Sequence, residues 1–499
     1  MINTKNGRPN VLWVTSDQQR YDTVHAHGCE VINTPNLDKL AREGVSFMNA
    51  YTQCPICTPS RASFMPGRYP ASHHVHRNGN DHFPPTEKII SRILKDNGYF
   101  TGIIGKHHLS RSEERIELIP EDGYMYSALG DCWPIGRDYD DWLKEEKGIE
   151  DPLKLYPDLL QSSPRDYGPG LPLENQQATW WAERAIQFIE RDHDSPWFLN
   201  LNAVDPHPPF FPPKEFLDKY DPAKMPLPLY RESDVARQEG FWEIDQQWKK
   251  IYDVRHYDPA EDIDQSAFAL EDRNLFDFPP DVYNARMIRA CYYAMIEMID
   301  DRLGMVLNAL ERTGQIDNTV VIFTSDHGEM LGDHGMLYKG CRFFEGLVHV
   351  PLIIRWPAEI SPDTRSKALV ELVDIMPTLL EATGVKVPEN VQGKSLLSLL
   401  SGKTDLNYHK DYVVSEFNGA LAGMPFQSHG SMVFDGRYKT CVYHDAGKVE
   451  IFDLEKDPGE FVSLWDAPDS ESEKLRLIHR HLNAIMGTSD AGIERTGMY

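Results

Sequence analysis

Four apolar, β-rich runs constrain this chain more than any other feature of its sequence, because each stops at a knot of polar, chemically capable side chains. They are NVLWVTSDQQ, ending at Asp17 and Gln18; YFTGIIGKHH, ending at Lys106 and His108; WFLNLNAVDPHPP, ending at His207; and TVVIFTSDHGE, ending at Asp326 and His327. A continuous apolar run, as opposed to an alternating one, suits a strand buried on both faces, as in a parallel sheet covered by helices. In such sheets ligands bind beyond the carboxyl ends of the strands. Four runs that end alike therefore predict one shared site.

Helical patterns fall between the runs: NLDKLAREG, ENQQATWWAERAIQFIER, DVYNARMIRACYYAMIEMIDDRLGMVLNALERTG and VELVDIMPTLLEATG. Some close on a Gly where a helix C-cap calls for one. Alternating strand and helix give the class α/β. After about Gly402 the texture changes to the short runs YVVSEF, SMVFDGRYKTCVYH and KVEIFDL, followed by the helical SEKLRLIHRHLNAIMG. The expected organisation is a large catalytic domain over 1–402 and a smaller C-terminal α+β subdomain over 403–499, an antiparallel sheet with one helix. Two stretches, 110–173 and 213–280, lack periodicity and are rich in Asp, Glu, Pro, Trp and Tyr. Long irregular insertions of this kind are expected to serve as functional loops or lids.

A formal net charge of −26 argues against nucleic acid or an anionic membrane surface as partner, since both are bound through clustered Lys and Arg. An anionic substrate needs a local basic pocket set against that field. No apolar run is long enough to span a membrane. The polar start MINTKNGRPN leads directly into the first strand, so no signal peptide is visible and a cytoplasmic location is expected, or a periplasmic or secreted one if a leader has been trimmed. Seven scattered cysteines do not form a disulfide framework. The oligomeric state stays open, a homo-oligomer included.

Cys57 lies in QCPICTPSRASFMPGRYP. The Cys54–Cys57 spacing matches redox and zinc motifs, but a single such pair is a weak signal. Pro59 suits the first turn of a helix and Gly67 its end, which puts Cys57 at a helix N-terminus, where unpaired N–H groups and the dipole favour an anion. CTPSR resembles the Cys-x-Pro-Ser-Arg signature of the sulfatase family, in which the cysteine is oxidised after translation to formylglycine. The resemblance extends in order and spacing through NVLWVTSDQQRYDTV, GKHHL, DPHPPF, TSDHGEMLGDHGMLYKG and KVEIFDLEKDPGEFVSLWD, and only the two irregular stretches lie outside it.

The resemblance implies an alkaline-phosphatase-like fold, a large mostly parallel sheet sandwiched by helices, that hydrolyses organic sulfate monoesters. Carried over residue by residue, it implies a divalent metal held by Asp17, Asp326 and His327, with Gln18 as fourth ligand or close neighbour and the residue-57 diol oxygen completing the shell. Arg61 would hold the hydrated aldehyde, Lys106 and Lys339 the sulfuryl oxygens. His108 would orient the diol or take its proton, and His207 would protonate the leaving oxygen. Asn78 would reach the substrate anion. Many sulfatases carry Asp-Asp where this chain has Asp17-Gln18 and Asp-Asn where it has Asp326-His327. Calcium is the expected ion, and the added nitrogen ligand makes manganese the alternative. The expected partners are a small-molecule or oligosaccharide sulfate ester, with a carbohydrate sulfate suggested by the Trp- and Tyr-rich insertions, and a formylglycine-generating maturation enzyme. The same Asp-Gln and Asp-His pattern occurs in the choline-sulfatase-like and phosphonate monoester hydrolase branches, so a phosphonate monoester or phosphodiester is the sister reading. A non-catalytic carbohydrate-binding relative is a third, opposed by the intact set of candidate groups. His73, His74, His76, His107 and His334 are assigned to packing or surface.

Overall fold

The computed structural model describes residues 7–79, 83–109, 121–130, 137–151, 155, 167–241, 253–255, 283–419, 428–444, 446–468, 471–490 and 492. The four apolar runs become β1 (Asn10–Ser16), β3 (Phe100–Gly105), β5 (Trp197–Asn202) and β6 (Thr319–Ser325). With β2 (Val45–Tyr51), β4 (Tyr126–Leu129), β7 (Leu352–Arg355) and β8 (Thr364–Glu371), they build one eight-stranded sheet of order β4-β3-β5-β1-β6-β7-β2-β8. The four predicted strands are thus consecutive neighbours, mutually parallel. Only β7 runs against its neighbours.

Strand alternation sends each run's side chains to both faces, and both are covered. Leu12, Val14, Ile104, Leu199, Leu201, Val321 and Phe323 share one core with Leu37 and Leu40 of helix Pro35–Arg42, Trp181 and Phe188 of helix Gln177–Ile189, and Leu303 and Leu310 of helix Ala285–Arg312. Val11, Trp13, Ile103, Phe198 and Ile322 face the other way, onto Phe64 of helix Cys57–Phe64, Leu94 of helix Ile90–Asp96 and Leu379 of helix Ile375–Ala382. Burial on both faces is why the runs read as continuously apolar.

The second sheet is antiparallel, of order β12-β11-β10-β9, from β9 (Val413–Asn418), β10 (His429–Phe434), β11 (Tyr438–Tyr443) and β12 (Lys448–Asp453). Helix Glu471–Thr488 packs on it, burying Leu477, His481 and Ala484. This sheet braces the chain around Cys57. Glu416 N donates to Gln53 O at 2.8 Å, and the Glu416 carboxylate accepts from Ala71 N at 2.6 Å. Lys439, fully buried, bonds the Phe343 carbonyl and Glu345, each at 2.8 Å.

Two readings need correction. VELVDIMPTLLEATG is not helical throughout: its first residues, Val370 and Glu371, complete β8, and the helix starts at Ile375. Val370 pairs with Ala50 of β2, and a reciprocal capping box between Glu371 and Asp374 forms a short turn that redirects the chain. The irregular stretch 110–173 contains edge strand β4 and helix Arg137–Glu145, too short to register as periodic. Much of both irregular stretches lies outside the described residues, and so does Cys132. The other six cysteines are free thiols. Among the described residues no helix is long and apolar enough to cross a membrane.

At the end of β3, Gly105 has φ +88°, and a Cβ there would sit 1.8 Å from the Asn202 carbonyl oxygen. This close approach lets β3 turn Lys106 toward the sheet's carboxyl edge. Gly98 has φ +84° but open space around it. Gly98→Ala should therefore cost only the left-handed strain, about 1 kcal/mol, and Gly105→Ala clearly more in urea unfolding. Equal losses would contradict this role for Gly105.

Candidate active site

Because β3, β5, β1 and β6 are neighbours, the residues that follow them meet at one edge. Asp17 N donates to Asp205 O at 3.2 Å and Asp326 N to Ser16 O at 3.3 Å, tying the exits of β1, β5 and β6 together. Cys57 is the first residue of helix Cys57–Phe64, preceded by Ile56 in extended conformation, and all eight helix residues are buried. One turn on, Ser60 and Arg61 face the strand ends. Ser60 Oγ donates to the Asp326 carbonyl at 2.7 Å. Arg61 donates through Nε to Asp326 Oδ2 at 2.8 Å, through Nη2 to Asp17 Oδ2 at 3.2 Å, and through Nη1 to the Lys106 carbonyl at 3.2 Å.

The Cys57 sulfur lies 3.0 Å from His327 Nε2, 3.0 Å from Lys339 Nζ and 3.9 Å from Asp17 Oδ1. The His108 imidazole also favours its ionised form. Burial pushes the thiol's pKa up, but Lys106, Lys339 and His327 outweigh it and hold it well below the ordinary value. Position 57 is built to carry a negative atom. Burial and Cys57 likewise push the Asp17 carboxyl up, and Lys106, His207 and Arg61 reverse this, leaving it below the usual carboxylate range. Lys106 Nζ is 2.6 Å from Asp17 Oδ2 and fully buried.

The ligand-type atoms of Asp17, Cys57, Asp326 and His327 all lie within 4.8 Å of one another, and all four residues are buried. His327 Nδ1 donates to the Gly328 carbonyl at 2.9 Å, which leaves the Nε2 lone pair aimed into the cluster. Two buried carboxylates and an oriented imidazole suit a divalent metal.

Every residue singled out as catalytic or metal-binding joins this cluster. Gln18 adjoins it in the left-handed conformation, φ +69°, with its Oε1 3.0 Å from Lys339 Nζ. His207 places Nε2 2.8 Å from Lys339 Nζ, and its Nδ1 donates to the Pro208 carbonyl at 2.6 Å. Asn78 sits at the margin: its Oδ1 caps helix Cys57–Phe64 by accepting from Thr58 N at 3.0 Å, which leaves its amide nitrogen for a ligand. Three of the histidines assigned to packing have local partners. His73 Nε2 shares a hydrogen bond with Ser63 Oγ at 2.9 Å, His334 Nδ1 lies 3.1 Å from Asp234, and His107 Nε2 lies 3.6 Å from Asp122.

Sequence reasoning missed Glu329 and Tyr292. Glu329, fully buried, accepts from Gln18 Nε2 and from Leu331 N. The Tyr292 hydroxyl donates to the Gln18 carbonyl at 2.6 Å and accepts from Arg20 N at 3.0 Å. Glu329 carried a signal, a carboxylate three residues past Asp326. Tyr292 carried none, since inside a long apolar helix it reads as core.

The sulfatase family profile matches residues 9–385, and a profile described as N-sulphoglucosamine sulphohydrolase, C-terminal, matches 332–486. An arylsulfatase from Clostridium perfringens is 31% identical over 94% of this chain and 92% of its own length. The N-acetylglucosamine-6-O-sulfatase of Bacteroides thetaiotaomicron is 26% identical over 94% of this chain and 85% of its own. The crystal structure of the phosphonate monoester hydrolase of Agrobacterium radiobacter superposes with a TM-score of 0.79 at 25% identity, covering 99% of this chain and 98% of that one. A profile that spans most of the sheet and every strand end of the site settles the kinship: the chain belongs to the sulfatase family and is a sulfuric ester hydrolase.

Proposed function

We propose that this enzyme cleaves a carbohydrate sulfate monoester, with formylglycine made from Cys57 as nucleophile. The observation that carries the reading is the setting of the Cys57 sulfur, within 3.0 Å of both Lys339 Nζ and His327 Nε2 at the start of a buried helix. That sulfur marks where an oxygen of the hydrated aldehyde would stand. The modification requires the maturation enzyme as a partner before the chain is active.

Asp17, Asp326 and His327, with residue 57 and Gln18 beside them, would hold one divalent ion, calcium or manganese, whose charge acidifies the attacking hydroxyl and offsets that of the sulfuryl oxygens. Arg61 bridges the two carboxylates and holds them in place. With formylglycine in place, one hydroxyl of its hydrate, already ionised, would attack sulfur as the ester S–O bond breaks, and His207, its ring fixed by the Pro208 carbonyl, would give a proton to the departing alkoxide. The second hydroxyl then loses its proton to His108, the carbon–oxygen bond to sulfate breaks, and the aldehyde returns as sulfate leaves. Lys106 and Lys339 would hold the sulfuryl oxygens in buried surroundings, where fixed charges act most strongly. The Asn78 amide nitrogen adds one donor at the margin. The carbohydrate leaving group takes support from the N-acetylglucosamine-6-O-sulfatase among the relatives.

A phosphonate monoester or phosphodiester is the second reading, favoured by the phosphonate monoester hydrolase neighbour. Such a substrate carries a carbon or alkoxy group where a sulfate has a bare oxygen, and that group needs apolar room. The Lys106 and His108 side of the site presents an ammonium and an imidazole instead, which favours the sulfate.

Peptide mass spectrometry of matured protein should find formylglycine at position 57, and Cys57→Ala should fold normally yet lose more than ~10³-fold in kcat. Full activity with unmodified Cys57 would contradict the mechanism. Chelation should abolish turnover, and Asp17→Ala or Asp326→Ala should do the same, because the cluster then loses either its cation or a ligand for it; activity surviving verified metal removal would refute this. His207→Ala should slow sugar sulfates by ~10²-fold or more and nitrophenyl sulfate far less, since nitrophenolate leaves without an acid. Equal losses would remove His207 from the acid role.

A further inference from the structure

Gln18 is fully buried, and its backbone is pinned on both sides: its N–H donates to Asp326 Oδ1 at 3.0 Å and its carbonyl accepts from the Tyr292 hydroxyl at 2.6 Å. Its side-chain amide lies between two charged groups. Oε1 accepts from Lys339 Nζ at 3.0 Å, and Nε2 donates to Glu329. An ammonium only donates and a carboxylate only accepts, so just one of the two amide orientations satisfies both neighbours. Glu329 is itself fully buried and held by the backbone N–H groups of Leu331 and Tyr338. It does not touch the cluster of Asp17, Cys57, Asp326 and His327 in any direct hydrogen bond, so its influence passes through Gln18.

We infer that Glu329 is a positioning residue: through Gln18 it turns an amide oxygen, not an amide nitrogen, toward Lys339 and the pocket of Asp17, Asp326 and His327, and thereby sets how tightly that pocket holds a divalent cation. This rests on reading the pocket as a metal site. A flipped amide would aim N–H groups at Lys339 and at the cation, both repulsive. An amide held this way offers the cation an oxygen without adding a second ionised group beside Asp17.

The test is calorimetric titration of the metal-stripped full-length protein with manganese and with calcium, alongside thermal unfolding of the metal-free form. Glu329→Gln, nearly isosteric, should bind the preferred ion about 10–100-fold more weakly while its metal-free unfolding temperature stays near wild type, and saturating metal should recover most of kcat. The exchange Gln18→Glu with Glu329→Gln restores a donor–acceptor pair of reversed polarity and should bind the ion more tightly than either single variant. An unchanged Kd for Glu329→Gln would overturn the inference. So would losses that simply add in the double variant, or a weaker Kd accompanied by an equally destabilised metal-free fold, which would mark Glu329 as structural. Wild-type protein that binds neither ion would remove the metal reading itself, and this inference with it.

Discussion

The structure depends on one arrangement of charge: Asp17 and Asp326, two carboxylates at the ends of adjacent parallel strands, both fully buried, with the Arg61 guanidinium bridging them. Asp17 would not stay ionised in such a place alone, since burial by itself favours the neutral acid. Arg61 supplies a planar, permanently charged donor that reaches both, and Lys106 closes on Asp17 from the next strand but one. A buried ion pair is expensive to break, on the order of 3–5 kcal/mol when one partner is removed. The same bridge that fixes the two strand ends therefore fixes the helix that carries residue 57.

That coupling explains why residue 57 is built into the core instead of being carried on a loop. Helix Cys57–Phe64 is buried over its whole length, Ser60 ties it to the Asp326 carbonyl, and Asn78 caps its first turn. Behind it, the C-terminal sheet secures the approach to Cys57 through Glu416. Reacting groups held this way need little reorganisation during the reaction, and the water-poor surroundings strengthen each charge–charge contact. The site's positive groups, Lys106, Lys339 and Arg61, are a local reversal of a chain whose net charge is −26.

Much of this was legible in the sequence because the physics is local. Continuous apolar runs of this length suit strands covered on both sides, and their polar ends converge because the strands are adjacent. Cys57 could be placed at a helix start from Pro59 and Gly67 alone. What was not legible depends on tertiary context. Val370 reads equally well as helix or strand until its pairing with Ala50 is known, and β4 is too short an edge strand to show a period. The role of Glu329 appears only when Gln18 and Lys339 are seen on either side of one amide. The Asn78 oxygen accepts from the Thr58 amide, a capping bond that no short motif announces.

Charge cannot separate a sulfate monoester from a phosphonate monoester or a phosphodiester, since each carries one negative charge at neutral pH; the shape and polarity of the wall beside Lys106 and His108 must do so. The most direct measurement is kcat/KM for the matured, metal-loaded enzyme on a matched pair, 4-nitrophenyl sulfate and 4-nitrophenyl phenylphosphonate, which share a leaving group. A site whose buried lysine receives a bare sulfuryl oxygen should hydrolyse the sulfate faster. Faster hydrolysis of the phosphonate would contradict sulfate specificity and would show that Lys106 has another task.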